Sequence, residues 1–165
     1  MATTIDHLNQ CSAGEFVALV GPVFERSPWI AAAAADRRPF ASRAALHAAL
    51  CDIVTHATSE QQLALIRAHP DLVGRVVLTA ESASEQAAAG LTGLTPEDIA
   101  QFDRYNSAYM ARFGFPFVIC ARKNKKEAIL RAFPLRLAHG RDEEMATAIG
   151  EIFQIAELRL ADLLP

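Results

Sequence analysis

Few side chains in this sequence suit proton chemistry near neutral pH, and one of them sits where the backbone has to change direction. His69 closes a periodic apolar helix (Leu63, Leu65, Ile66) and leads into Pro70, Asp71, Leu72, Val73, Gly74 and Arg75. Proline disfavours the α region for the residue before it, so His69 is expected in extended backbone at a helix exit. An imidazole on a stiff, non-repetitive turn has a fixed direction and a reachable ring, which suits a proton-transfer group. The competing reading is a helix-terminal histidine satisfying the last carbonyls, with Pro70 as the stop.

Three further features could carry chemistry. Ser82-x-x-Glu85-Gln86 has the spacing of a capping box, and it also puts a carboxyl and an amide at a helix start whose free amides favour electron-rich ligands. The apolar run Phe117, Val118 and Ile119 reads as an extended, buried segment among helices. Its amides and carbonyls lack a sheet partner, so a planar heterocycle with donors and acceptors would suit them as well as core packing would. On the last helix Ile152, Ala156, Arg159 and Leu163 follow one face. A guanidinium on that stripe must meet a carboxylate or line a pocket.

No other constellation competes. His7, His47, His56 and His139 show no His-Glu-x-x-His or similar metal-ligand spacing, and there is no glycine-rich phosphate loop. The basic cluster Arg122-Lys123-Asn124-Lys125-Lys126 has no aromatic interleaving in a chain of net charge -3, so it reads as a solvated helix start and not a nucleic-acid patch. Cys11, Cys51 and Cys120 are odd in number and widely spaced, which argues against a disulfide framework and for a reducing compartment. No apolar run approaches the ~20 residues of a membrane span. The first ten residues are too polar for a signal peptide, so a cytoplasmic location is expected.

The elements that must position these groups are nearly all helical. The 165 residues, 52% hydrophobic and 21% charged, suit one globular domain over residues 1–165. Capping signals recur at helix-length intervals: Ser12 with Glu15, Ser27 before Pro28, Ser42, Ser59 with Gln62, Ser82 with Glu85, and Thr95 before Pro96. Apolar stripes follow them, among them Phe16, Leu19, Val20 and Val23, then Leu46, Leu50, Ile53 and Val54, then Ile99, Phe102, Asn106 and Tyr109. Gly90 and Gly114 are placed to close helices. Pro134 must kink or end the helix that Asn124 and Lys125 open. The last helix starts at Asp142-Glu143-Glu144 and buries Ile149, Ile152, Phe153, Ala156, Leu160 and Leu163. The expected architecture is an all-α, single-domain bundle of seven to nine helices with one short extended buried segment.

In order, Ser27-Pro28-Trp29, Arg38-Pro39-Phe40, His69-Pro70-Asp71-Leu72, Ser82-x-x-Glu85-Gln86-x-x-Ala89-Gly90-Leu91, the run from Tyr109-x-x-Arg112 through Phe113-Gly114-Phe115-Pro116-Phe117-Val118-Ile119-Cys120, and Leu158-Arg159-Leu160 resemble one family. It is the 2-oxo-4-hydroxy-4-carboxy-5-ureidoimidazoline (OHCU) decarboxylases of urate breakdown. The resemblance implies an all-α, cofactor-free lyase, commonly a homodimer, that forms S-allantoin and carbon dioxide. Matched by motif, His69 and Glu85 would be catalytic. Pro70, Ser82, Gln86, Phe117, Val118, Ile119 and Arg159 would bind substrate, with no metal, nucleic acid or membrane involved. Pro134 departs from the family pattern by interrupting a helix expected to be continuous. The ending Leu163-Leu164-Pro165 lacks the peroxisomal tripeptide of many eukaryotic relatives, which again favours the cytosol. The reading from a different class is a non-catalytic helical module that binds a purine-derived ligand on the same scaffold.

Overall fold

Hydroxyl caps start most helices of this protein, whose computed structural model describes residues 2–74 and 78–165. Thr4, Ser12, Ser42, Thr58, Thr79 and Thr95 each accept from a backbone amide of the first turn of α1 (Ile5–Gln10), α2 (Ala13–Val20), α4 (Arg43–Thr55), α5 (Ser59–Arg67), α6 (Ala80–Ala88) and α7 (Pro96–Phe113). Pro28 opens α3 (Pro28–Ala35) without a side-chain cap, because the Ser27 hydroxyl donates to the Glu25 carbonyl instead. Lys126–Leu137 forms α8 and Arg141–Leu163 forms α9. Short 3-10 turns lie at Gly21–Val23 and Ala121–Lys123, and there is no strand among the described residues. The fold is all-α, as expected.

Two expected caps sit earlier than the sequence places them, one by a single residue and one by three. The box expected at Ser59 is formed by Thr58 with Gln61. The helix expected to start at Ser82 starts a turn earlier on Thr79, whose hydroxyl accepts from the Ser82 amide at 3.2 Å. With Thr79 as the cap, Ser82 is the third residue of the helix and its own amide is the one the cap serves. Ser82 therefore lies inside α6, and Ser82-x-x-Glu85 is not a capping box. Of the two outcomes expected at Pro134, the helix does not end there: α8 runs through it to Leu137. Pro134 is exposed, so water can serve the carbonyl it leaves unserved. Buried Phe133 and Arg136 on either side hold both turns in place.

The chain divides into two compact units, Met1–Ala68 with Phe153–Pro165, and His69–Ile152. In the first, α2 packs on α3 and α3 on α4. Leu8, Phe16, Ile30, Leu46, Leu50, Leu65, Ala156 and Leu160 are fully buried there. In the second, α7 packs on α8 and α6 on the 3-10 turn Ala121–Lys123. Its core is aromatic: Phe117 stacks on Phe133 at 3.8 Å, and Tyr109 meets Phe115 and Phe117 edge-on. Of the face predicted for α7, Phe102, Asn106 and Tyr109 are buried, but Ile99 is 40% exposed. Ile149, Phe153 and Leu163 of α9 are only half-buried.

Gly114, at φ 75°, closes α7, and residues 115–120 follow as a buried, non-helical segment. That matches the expectation of an apolar stretch without a sheet. Arg136 donates to the Val118 carbonyl at 2.6 Å and covers the Phe117 ring at 4.2 Å, while the Cys120 amide donates to Glu151 at 3.0 Å. Side chains satisfy this backbone where a sheet would have done so.

Candidate active site

The site is best built from α6, because its buried face is polar throughout. Ser82, Glu85 and Gln86 are its buried residues, at the i, i+3, i+4 spacing of one side of a helix. Helices of this size ordinarily bury aliphatic groups, at ~25 cal/mol for each Å² taken from water. A face that forgoes that stabilisation for a hydroxyl, a carboxyl and an amide marks a place where fold and function pull apart. The helix end is firmly closed: Gly90, at φ 77°, donates to the Ala87 carbonyl and Leu91 to the Gln86 carbonyl, both at 3.0 Å. This is a Schellman ending, and it fixes the phase in which the three polar side chains point.

Gln86 joins that helix to the turn after His69. Its Oε1 accepts from the Val73 amide at 3.1 Å. From α7, Asn106 donates to the Leu72 carbonyl at 2.8 Å. The turn needs both anchors, since Val73 holds φ 58°, a left-handed conformation that a β-branched residue adopts only under strain. His69 follows the end of α5 directly and is 8% exposed, more enclosed than a simple helix exit suggests. Pro70 beside it is half-buried. Burial, reinforced by the charge of Asp103, pushes the Asp71 carboxyl above its ordinary range. Arg75 of the same stretch lies outside the described residues.

The extended segment reaches the same helix from its far end. Burial above all, with the charges of Glu151 and Glu85 adding, pushes the Cys120 thiol up. Lys125 donates to the Ala88 carbonyl at 2.6 Å, tying the start of α8 to the end of α6. The His69 turn, the polar face of α6 and the buried run Phe117, Val118 and Ile119 all belong to the second unit. An open cleft of about 570 Å³ lies beside the turn, lined by Asp71, Gly74, Asp103, Asn106 and Met110 among others. None of the predicted site residues lines it.

Arg159 belongs to the first unit. It is buried on the face of α9 predicted from its spacing, and its Nη2 meets Glu25 Oε2 at 3.0 Å while Nη1 donates to the Pro22 carbonyl at 3.0 Å. Of the two partners left open by the sequence, a protein carboxylate is present. Glu25 had no signal, because it lies 134 positions away and no local spacing relates the two.

Arg136 and Glu144 were also missed. Glu144 reads as an ordinary acid at a helix start, yet it is fully buried. It accepts from Arg136 Nε at 2.5 Å, from the Tyr109 hydroxyl at 2.5 Å and from His139 Nδ1 at 2.9 Å. Through Arg136 this cluster holds the Val118 carbonyl. The Tyr109 hydroxyl, pushed up by burial and by the Glu144 carboxylate, stays protonated and keeps donating.

A stability test follows from the shifted cap. Thr79→Ala is expected to cost about 1 kcal/mol in urea unfolding by loss of the hydroxyl cap. Ser84→Ala, on the same helix but off both its cap and its buried face, should be near neutral. Equal effects would mean that Thr79 does not start the helix.

Residues 9–161 match the family model described as OHCU decarboxylase. The chain is 44% identical over 161 residues to the 2-oxo-4-hydroxy-4-carboxy-5-ureidoimidazoline decarboxylase of Amia calva, covering 95% of this chain and 92% of that one. It is 41% identical over 160 residues to the protein of the same name from Halalkalicoccus jeotgali, covering 97% and 91%. Among solved structures, the crystal structure of an (S)-allantoin synthase is similar with a TM-score of 0.82 at 26% identity. That likeness covers 99% of this chain and 54% of the synthase, so the chain spans about half of that protein's length.

Proposed function

The chain belongs to the OHCU decarboxylase family, and from that premise we propose that it converts OHCU to S-allantoin and carbon dioxide in urate breakdown. The observation that carries this reading is the polar buried face of α6, with Gln86 hooked to the turn that follows His69. A bundle built only for stability has no use for a hydroxyl, a carboxyl and an amide there.

The reaction needs an electron sink, a role that a cofactor usually fills. In this substrate the ring C=N next to the carboxylated carbon fills it. The bond to the carboxylate breaks, carbon dioxide leaves, and the electron pair enters the C=N. The ring nitrogen that receives the pair takes up a proton, the hydroxyl on the carbon that lost the carboxylate gives up its proton to become a carbonyl, and a proton is delivered to one face of the adjacent ring carbon. The reading therefore calls for no cofactor and no metal in the chemistry. His69 handles the proton, since imidazole is the side chain whose unperturbed titration lies near neutral pH. Glu85 holds the imidazole in one tautomer or shares the transfer. Ser82, Gln86, Pro70 and the backbone of Phe117, Val118 and Ile119 orient the ureide and ring carbonyls. Binding and catalysis are assigned to the whole chain, residues 1–165, acting as one domain. A homodimer in the cytoplasm completes the reading. The cysteines Cys11, Cys51 and Cys120, free in the structure, suit a reducing compartment.

Glu85→Gln tests the reading. The variant keeps size and helix propensity, and Glu85 has no capping duty to lose. Turnover is expected to fall by about 10²-fold or more, the range for loss of acid–base function, with the melting temperature nearly unchanged. Full turnover would remove Glu85 from the chemistry.

Arg159 enters by the family pattern, and its bond to Glu25 makes its test two-sided. Arg159→Ala would strand a buried carboxylate, with an expected loss of ~3 kcal/mol or more. Arg159→Lys keeps the charge and loses the planar fork. If Arg159 also binds substrate, allantoin should raise the melting temperature of wild type more than that of the lysine variant. Equal protection would leave Arg159 as a structural ion pair.

A further inference from the structure

The N-terminal helix pair places three unlike metal donors together, far in sequence from every residue assigned to the decarboxylation. His7 and Cys11 lie four residues apart, one on α1 and one at its C-cap, and Glu15 comes from the first turn of α2. His7 Nε2 is 3.1 Å from Glu15 Oε1, and one donor atom from each of the three residues lies within 4.8 Å of the others. Imidazole nitrogen, thiolate and carboxylate are the donor set of a borderline-soft dication, and three protein ligands leave a fourth position for water. We propose that His7, Cys11 and Glu15 bind one zinc-class divalent cation, clamping α1 to α2.

The backbone that carries these donors is held rigidly although their heads are accessible. Leu8, between the first two ligands, is fully buried. Thr4 caps α1 by accepting from the His7 amide at 3.1 Å. Arg38 donates to the carbonyls of Leu8 and Cys11, at 3.1 and 2.6 Å, and lies over the Phe16 ring. The side chains of His7 and Glu15 are 49% and 50% exposed, so an ion can enter without opening the fold. Closing the donors around an ion requires side-chain movements on the order of 1 Å, since adjacent ligand atoms in a tetrahedral zinc shell at ~2.0–2.3 Å stand roughly 3.5 Å apart.

The charges balance. The ion replaces the thiol proton of Cys11, which leaves to solvent. The Nε2–H···Oε1 bond between His7 and Glu15 breaks, the imidazole proton moves to Nδ1, and the Nε2 lone pair binds the metal. A dication with one thiolate and one carboxylate is neutral overall, so the nearby Arg38 guanidinium does not repel the filled site.

A second pair with the same spacing shows what excludes an ion. His47 and Cys51 are also four apart, with Sγ 3.5 Å from Nε2. Yet His47 Nε2 contacts the Phe153 carbonyl at 2.9 Å, and because a carbonyl only accepts, that nitrogen carries the proton and has no lone pair to give. The Cys51 thiol is pushed up to about 11 by burial, with Glu157 adding. His7 faces a carboxylate that can itself turn to the metal.

Cobalt(II) is the probe, added to reduced full-length protein stripped with a chelator. One cobalt per chain is expected to bind, with a near-ultraviolet thiolate-to-metal band that zinc bleaches. Cys11→Ser should abolish the band, and Cys51→Ser should keep it. His7→Asn and Glu15→Gln, conservative exposed changes that leave the fold intact, should each weaken binding by about 10-fold or more. Zinc should raise the melting temperature of wild type and leave that of Cys11→Ser unchanged, and the two should turn over substrate alike after chelation. No thiolate band in wild type, or a band that survives Cys11→Ser, would overturn the proposal. A band lost in Cys51→Ser would do so too, by moving the ion to the other pair.

Discussion

His69→Asn is expected to lower kcat by about 10²- to 10⁴-fold, the contribution of a positioned acid–base group. Asparagine keeps part of the volume and hydrogen bonding of histidine and cannot titrate. His69 is 8% exposed, so the change also disturbs a packed position, and a stability loss of about 1–3 kcal/mol is expected alongside. The two effects separate cleanly. A folded fraction measured at the assay temperature corrects kcat for stability, and the residual loss reports chemistry. The acid limb of the pH–rate profile should flatten in the variant if the imidazole is the titrating group. A variant that turns over normally after that correction would make His69 a helix terminus and nothing more.

The second large effect lies away from the proton chemistry. Arg136→Met is expected to cost ~3–5 kcal/mol, because it leaves the fully buried Glu144 carboxylate without the guanidinium that pairs with it. For a chain of this length that corresponds to a fall in melting temperature on the order of 10 °C. The Val118 carbonyl loses its donor at the same time, so residues 117–119 lose their fixed position. The surviving folded protein should therefore show a raised KM as well. Pairing the change with Glu144→Gln removes the stranded charge and should recover part of the stability while leaving KM high. A loss below about 1 kcal/mol for Arg136→Met alone would show that the cluster does not hold the segment.

What the sequence reveals here follows the range over which it carries information. Signals within one turn of helix worked well: Ser42, Thr95 and Gly114 stand where their types predict, and the Arg159 phase on α9 is right. The apolar stretch at residues 115–120 could be recognised because its composition suits no helix. Where two local signals compete, the sequence is ambiguous. Thr79 and Ser82 can each cap, Thr79 does, and Ser82 and Glu85 thereby move from a helix end to a buried face. The choice raises the weight of Glu85 as a functional residue. Pro134 does not end its helix, because it faces water and has packed neighbours on both sides.

Partners on different elements, from 8 to 134 positions apart, left no trace at all. Glu25 for Arg159, Glu144 for Arg136 and Gln86 for Val73 are matched only by the fold. The same holds for Glu15 beside His7 and Cys11, where attention to histidine pairs alone passed over a cysteine one turn on. In each case the residue type announces a polar group that needs a partner. Which partner it finds depends on how helices pack.

The handedness of the allantoin formed is the most direct measure of the central claim. The substrate decays unaided to a racemate, so loss of substrate alone is ambiguous. Freshly generated OHCU should be mixed with the protein, quenched early and resolved on a chiral column. Wild type is expected to give S-allantoin alone, and His69→Asn a product shifted toward the racemate as the unaided reaction overtakes its slowed turnover. A racemic product from wild type, at the rate of the protein-free control, would contradict the assignment of decarboxylase activity to this chain.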